Sequence, residues 1–333
     1  MARVIAEEAA AGRIDAEALT LRGDEGGDLG LKITTASGSR PRFVAAVHRA
    51  ALAGSHFVYD FTGIARAHPR LPSLARPYLT WIHGIEVWEE AEEKRLARAR
   101  AARILLANSA YTVARARALH GGLEHAQVCW LATESDQPAP PPSTPRAPAI
   151  AILARLDERG GYKGHRELIA CWHEVVARVP EATLTIVGDG PGRAVIEHLV
   201  AQSPARSRIH MLGLVPEDEL NGVLSRCSAL AMPSRGEGFG LAYVEAMRHG
   251  VPVIGSVHDA AREVNEDGVS GFNVDLDRPG ELSARLTELL SQPALARTLG
   301  LGAQQRWHEH MRYARFAERF RPLLRSLWGE RPI

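Results

Sequence analysis

Two carboxylates eight residues apart, Glu237 and Glu245, belong to the run Pro233-Ser-Arg-Gly-Glu-Gly-Phe-Gly-Leu-Ala-Tyr-Val-Glu-Ala-Met247. An apolar strand at 228–232 enters a glycine-rich turn that launches a helix. Turn glycines let backbone N–H groups approach a ligand closely, and a helix N-terminus carries partial positive charge. The combination suits an anion, phosphate above all. Carboxylates beside such a cradle are badly placed to hold phosphate themselves, but they accept strongly from hydroxyl groups. A ligand with both a diphosphate and many hydroxyls is a nucleotide-sugar.

The loop 154–164 carries Arg155 and Lys163 on a glycine-rich backbone after an apolar strand. Open α/β sheets bind ligands at the carboxyl ends of their strands. An arginine fork and a lysine point charge set beside the turn at 237–241 would form a diphosphate clamp. Lysine is scarce, only Lys32, Lys94 and Lys163 among 40 Lys and Arg residues, which singles out Lys163. Two further strand ends, at Gly188 and at Gly213-Leu214, fall on the same edge and are candidates for holding a base. Asp275-Leu276-Asp277 follows a strand end, where acidic turn residues are common, so no metal site is expected there.

These residues must be positioned by alternating strands and helices. In the second half, strands are expected at 149–153, 183–187, 209–212, 229–232, 252–254 and 271–274, with helices at 165–178, 193–202 and 217–226. That alternation is the pattern of a parallel sheet covered by helices. First-half strand candidates are 17–21, 31–34, 56–59, 78–81, 104–107 and 127–130. The tail from 279 to 328 reads as helix with a break near Gln292-Pro293. Six prolines within 137–148 favour an extended spacer and exclude helix or central strand. The chain opens with a helix at 3–12 and only then a strand, whereas a doubly wound domain opens with a strand and a turn.

With 333 residues the chain is long enough for two domains. A net charge of +1 gives no electrostatic footprint for nucleic acid. Cys129, Cys171 and Cys227 are isolated and odd in number, which fits buried thiols better than disulfides or a metal cluster. No apolar run approaches the ~20 residues of a membrane span. No signal segment opens the chain, so a cytoplasmic location is expected. The basic stretch 94–103 could meet a lipid surface peripherally and reads equally well as a solvated helix face.

Taken in order, Arg155 and Lys163, Gly188-Asp-Gly-Pro, the Glu-x7-Glu run and the segment 263–274 resemble the retaining glycosyltransferases of family 4. The resemblance implies a GT-B fold: an α/β protein of two Rossmann-like domains with the active site in the cleft between them. It implies that Arg155 and Lys163 hold the donor diphosphate together with the backbone at Gly238, Phe239, Gly240 and Leu241. Glu237 would contact the transferred sugar and Glu245 the ribose. His83, in Trp81-Ile-His-Gly-Ile-Glu-Val-Trp88, resembles a family histidine that touches the donor sugar near the reacting centre. Glu86 reads as a helix-start or acceptor-site residue, Tyr111 as an acceptor contact and Ser109 as a helix cap. The family works mostly without a metal or other cofactor, because fixed cations neutralise the leaving diphosphate.

The chain departs from the family in lacking the Gly-Gly turn that follows the first strand, so the first domain is expected to be short of its opening strand and loop. The expected domains are 1–136 on the acceptor side, the linker 137–148, a donor-binding domain at 149–310 and a C-terminal helix at 311–333 crossing back to the first. The expected partners are a nucleotide-sugar and a hydroxyl acceptor. Rival readings are a non-catalytic nucleotide-sugar-binding protein and a sugar-nucleotide epimerase.

Overall fold

The computed structural model describes residues 1–22, 30–88, 91–140, 146–157 and 163–328. Residues 158–162 of the Arg155 loop and 141–145 of the proline-rich segment lie outside the described residues. The chain separates into two compact units: Met1–Asn108, Thr112–Cys129 and Phe316–Ile333 form the first, Ser109–Tyr111 and Trp130–Arg315 the second.

In the first unit, β1 (Glu17–Thr20) and β2 (Lys32–Thr35) pair parallel to each other, apart from the main sheet. The main sheet is β3 (Phe57–Tyr59), β4 (Tyr78–Ile82), β5 (Ile104–Ala107) and β6 (Ala126–Val128), in that spatial order and all parallel. All six first-half strand candidates form strands, the first two outside the main sheet. β4 and β5 are buried along their whole length, as strands covered on both faces must be. No residue of β1 or β2 is buried, so nothing recruits that pair into the central stack.

The helix Ala2–Ala10 is fastened by one buried carboxylate. Glu8 accepts from Arg13 (2.8 and 2.9 Å) and from Arg325 (3.0 and 3.2 Å), and Arg321 stands 3.1 Å away. The bonds from Arg13, with the charge of Arg325 behind them, outweigh burial and hold its carboxyl down to about 2. Arg321 and Arg325 come from the helix Tyr313–Arg325, whose Phe316 and Phe320 pack against Trp81 of β4.

The second unit holds one six-stranded parallel sheet of β7 (Ala149–Leu153), β8 (Thr183–Val187), β9 (Ile209–Gly213), β10 (Ala229–Ala231), β11 (Val253–Ser256) and β12 (Gly271–Val274). Across the sheet they run β9-β8-β7-β10-β11-β12. This is the doubly wound order, whose direction reverses between β7 and β10. The segments Ala149–Leu153 and Ala229–Ala231 are almost wholly apolar, so they fill the centre with helices on both faces. Helices His165–Arg178, Arg193–Gln202 and Glu217–Arg226 connect the strands with the bounds expected from sequence. The break near Gln292 separates the helices Glu281–Ser291 and Pro293–His310, proline taking the first helical position where its missing N–H costs nothing.

Candidate functional site

The reversal of strand order leaves a crevice beyond the carboxyl ends of β7 and β10, and both signature loops open there. Gly164 brings them together. It holds φ at +96°, and a methyl group there would sit 2.5 Å from the carbonyl oxygen of Pro233. Only glycine lets the start of helix His165–Arg178 press against the loop that leaves β10.

The consequence is a direct contact between two predicted site residues. The Lys163 Nζ donates to Glu237 Oε2 at 2.7 Å, with the two side chains 15% and 13% exposed. The other oxygen of Glu237 accepts from the N–H groups of Gly238 (3.1 Å) and Phe239 (3.3 Å). The backbone donors expected to face a diphosphate therefore turn toward the glutamate in this structure. Phe239 has its ring buried near Trp130, with centroids 6.5 Å apart, so only its backbone is available to a ligand. Gly240, at φ +95°, caps the helix Leu241–Arg248, and Leu241 opens it half exposed.

Glu245 lies one turn before the end of that helix. Burial raises its pKa, Arg248 at 4.0 Å pulls it down, and the charges of Glu217 and Glu134 push it up again. A carboxylate so crowded by like charge gains from hydroxyl donors, which stabilise its ionised form.

Arg155 is exposed and lies against Gly190. Its loop rests on the turn after β8: Ala154 N–H donates to Val187 O, Leu156 N–H to Asp189 O, and Gly192 N–H back to Leu156 O, each at 3.1 Å. Gly188, at φ +128°, is required by this packing, since a methyl group would lie 2.0 Å from the Ala154 carbonyl oxygen. The Gly188 N–H also donates to Gly213 O at 2.8 Å, which brings two of the three candidate base-holding residues together. Leu214, the third, projects at 80% exposure.

Sequence reasoning missed the residue that shapes the Glu237 turn. Asp259, fully buried after β11, accepts at one oxygen from the Ser234 hydroxyl and from the Glu237 N–H (2.9 Å), and at the other from the Ala261 N–H (2.9 Å). Its place beyond a strand end at the same edge was the signal available. Burial pushes its carboxyl up to about 6, against the three donors and with the charge of Glu237 adding to the rise. A carboxyl raised above its unfolded value binds the proton more tightly in the folded state, so folding stability falls as pH rises between those two values. Across the window from about pH 4 to about pH 6 the wild-type protein is expected to lose on the order of 1.4 kcal/mol per pH unit from this group. Asp259→Asn should flatten that slope in urea titrations at the two ends of the window. An unchanged slope would remove Asp259 as its source.

Asp275 and Asp277 gather with His258 within 4.8 Å. All three are already engaged: Arg235 reaches Asp277 at 2.6 Å, Arg278 reaches Asp275 at 3.3 Å, and the Leu276 N–H donates to His258 Nε2 at 3.1 Å. Tyr111 clusters with the second unit, its hydroxyl donating to His258 O at 2.9 Å. Its N–H and that of Ala110 donate to the Glu263 carboxylate, which therefore has a structural role.

In the first unit, His83 follows β4 and shares the carboxyl edge with Asp60 and Asn108. Its Nε2–H donates to Asp60 O at 2.8 Å, its carbonyl accepts from Asn108 Nδ2 at 3.0 Å, and its ring stacks on Trp81. Glu86 accepts from the His83 N–H, as a carboxylate does at the start of a short helix. The sequence offered no sign that Asp60 and Asn108 fix this histidine.

Comparison with known proteins places this geometry among relatives. The family model described as Glycosyl transferases group 1 matches residues 136–306. The GDP-mannose-dependent alpha-(1-6)-phosphatidylinositol monomannoside mannosyltransferase of Mycolicibacterium smegmatis is 30% identical over 182 residues, 51% of this chain and 47% of its own. The N-acetyl-alpha-D-glucosaminyl L-malate synthase of Bacillus anthracis is 27% identical over 51% of this chain and 44% of its own. The chain thus spans about half the length of such curated relatives. Among solved structures, sucrose-phosphate synthase from Thermosynechococcus elongatus superposes with a TM-score of 0.80 at 21% identity, covering 98% of this chain and 92% of that one. Anabaena Alr3699/HepE in complex with UDP and glucose gives 0.77 at 20% identity, over 97% and 96%. These likenesses show the GT-B fold of parallel α/β domains. Among the described residues no helix is long and apolar enough to cross a membrane.

Proposed function

The chain belongs to the glycosyl transferases group 1 family, and from that premise we propose that it moves a hexose from a nucleoside-diphosphate sugar to an acceptor hydroxyl, with retained configuration and without a metal. The observation that carries this reading is the convergence of Lys163, Glu237 and the N-terminus of helix Leu241–Arg248 at the strand-order reversal, with Glu245 on the same helix. A relative named as GDP-mannose-dependent and a structural neighbour holding UDP support the donor class.

In the reaction proposed, the bond from the sugar C1 to the diphosphate oxygen breaks and a bond from C1 to the acceptor oxygen forms on the same face. The acceptor proton passes to the departing phosphate. Lys163 and Arg155 neutralise the charge that builds on that phosphate, the task a metal serves elsewhere. Glu237 would accept from sugar hydroxyls once Lys163 swings onto the diphosphate, and Glu245 would accept from the ribose. Gly188, Gly213 and Leu214 would flank the base. His83 is proposed as the first unit's contribution beside the sugar. Tyr111 and Glu86 are proposed as acceptor contacts; like the His83 ring, each would exchange a protein partner for the ligand.

The test is incubation with a panel of nucleoside-diphosphate hexoses, followed by proton NMR of the released or transferred sugar. Donor turnover with the anomeric configuration kept is the expected result. Inverted product would overturn the retaining mechanism, and epimerised donor would convert the reading to an epimerase. Tight nucleotide binding with no turnover by any donor would leave a binding protein.

A further inference from the structure

The first unit contains a cavity of about 640 Å³ that the transfer reaction does not use. Its walls come from the segment before β4, from Tyr78 at the amino end of that strand, and from one face of the helix Glu93–Ala101. Tyr78 lies roughly 16 Å along the strand from His83, at the rise of a parallel strand. The cavity therefore opens away from the strand ends that carry His83, Asp60 and Asn108.

Its charge is unbalanced. Arg70, Arg76, Lys94 and Arg98 all line it, and among the described residues none of the four has a carboxylate at ion-pair distance. Glu93, the acidic residue of the lining, is committed to Arg100 at 2.6 Å. Arg98 is the informative one, because it is only 8% exposed and the Tyr78 phenol is its neighbour. A buried cation without a counter-ion is costly, and proteins tolerate it where a ligand brings the missing charge. Lys94 and Arg98 stand one turn apart on the helix, so both can face one anionic group while Arg70 and Arg76 approach from the loop. Planar arginine forks suit phosphate oxygens, and alanine and proline make up much of the remaining lining.

We propose that this cavity is a second ligand site, for a phosphate-bearing molecule, built on Arg98, which among the described residues has no carboxylate partner, and distinct from the donor site. A free phosphate and a lipid headgroup share this chemistry, and the two sources give different experimental signatures.

The probe is inorganic phosphate, titrated by calorimetry into the wild-type protein, Arg98→Met and the double variant Arg70→Ala/Lys94→Ala. Arg98→Met, which removes one charge-assisted contact, is expected to weaken phosphate binding about tenfold, and the double variant, which removes two cations, by about tenfold or more. The double variant alters exposed side chains, so it keeps the test valid should Arg98→Met fail to fold. Affinity for a nucleoside diphosphate should be unchanged in both, since the donor residues lie in the other unit. Phosphate affinities equal to wild type in the folded variants would overturn the proposal. Sedimentation with phosphatidylcholine vesicles, with and without phosphatidylinositol, separates the sources. Retention lost in the variants assigns a headgroup, and phosphate binding without retention assigns a soluble ligand.

Discussion

Lys163→Ala is expected to lower kcat/KM for sugar transfer by about 10²–10³, the cost of removing one fixed charge from a developing anion. The structure makes this substitution more than the loss of a phosphate contact. Lys163 is paired with Glu237 at 2.7 Å, and both side chains are largely buried. Without the ammonium, the Glu237 carboxylate keeps, among the described residues, the N–H groups of Gly238 and Phe239 as partners. Arginine should not rescue the variant, because a planar, forked guanidinium cannot occupy a point-charge position. The pair Lys163→Ala and Glu237→Gln should be non-additive: residues in contact share their interaction energy, so the double variant loses less than the product of the singles. Steady-state kinetics of the four proteins measures this, and strict additivity would mean that the ion pair plays no part in the reaction.

Glu245→Ala is the second large effect, and it should fall on binding. A hydrogen bond to a charged group is worth about 1.5–3 kcal/mol, so the nucleoside diphosphate should bind roughly tenfold to a hundredfold more weakly. The sugar of the nucleotide supplies the control. If Glu245 accepts from ribose hydroxyls, wild type should discriminate strongly against a 2′,3′-dideoxy analogue, and Glu245→Ala should bind both alike. Folding should change little, because Glu245 is half exposed and its ion pair with Arg248 is long at 4.0 Å. Persistent ribose discrimination in the variant would move the ribose site elsewhere.

The second unit was largely legible from sequence because its signals are local. Apolar runs of four or five residues between amphipathic stretches marked strands that the sheet then buried on both faces. Glycines at 188 and 240 announced backbone conformations and close approaches that only glycine allows. The rule that ligands gather at carboxyl strand ends puts Arg155, Lys163 and Glu237 on one edge from sequence alone.

What sequence could not show was which of these residues touch. That Lys163 neutralises Glu237 across 74 positions, or that Asp259 ties Ser234 to Glu237, depends on packing between loops with no shared pattern. The first unit was less legible for the same reason. β1 and β2 have the alternation of strands, yet nothing in their composition says that they pair apart from the main sheet. Arg98 reads in sequence as one more basic residue on a solvated helix face, and only the fold buries it.

The central claim is that the strand-order reversal of the second unit binds a nucleoside diphosphate through Lys163 and Glu245. Calorimetric titration of nucleoside mono- and diphosphates into wild type, Lys163→Ala and Glu245→Ala tests it most directly. The account predicts that wild type prefers the diphosphate, that Lys163→Ala loses that preference, and that Glu245→Ala keeps the preference while binding both nucleotides more weakly. Equal affinities in all three proteins, or no binding to wild type by any nucleoside diphosphate, would contradict it.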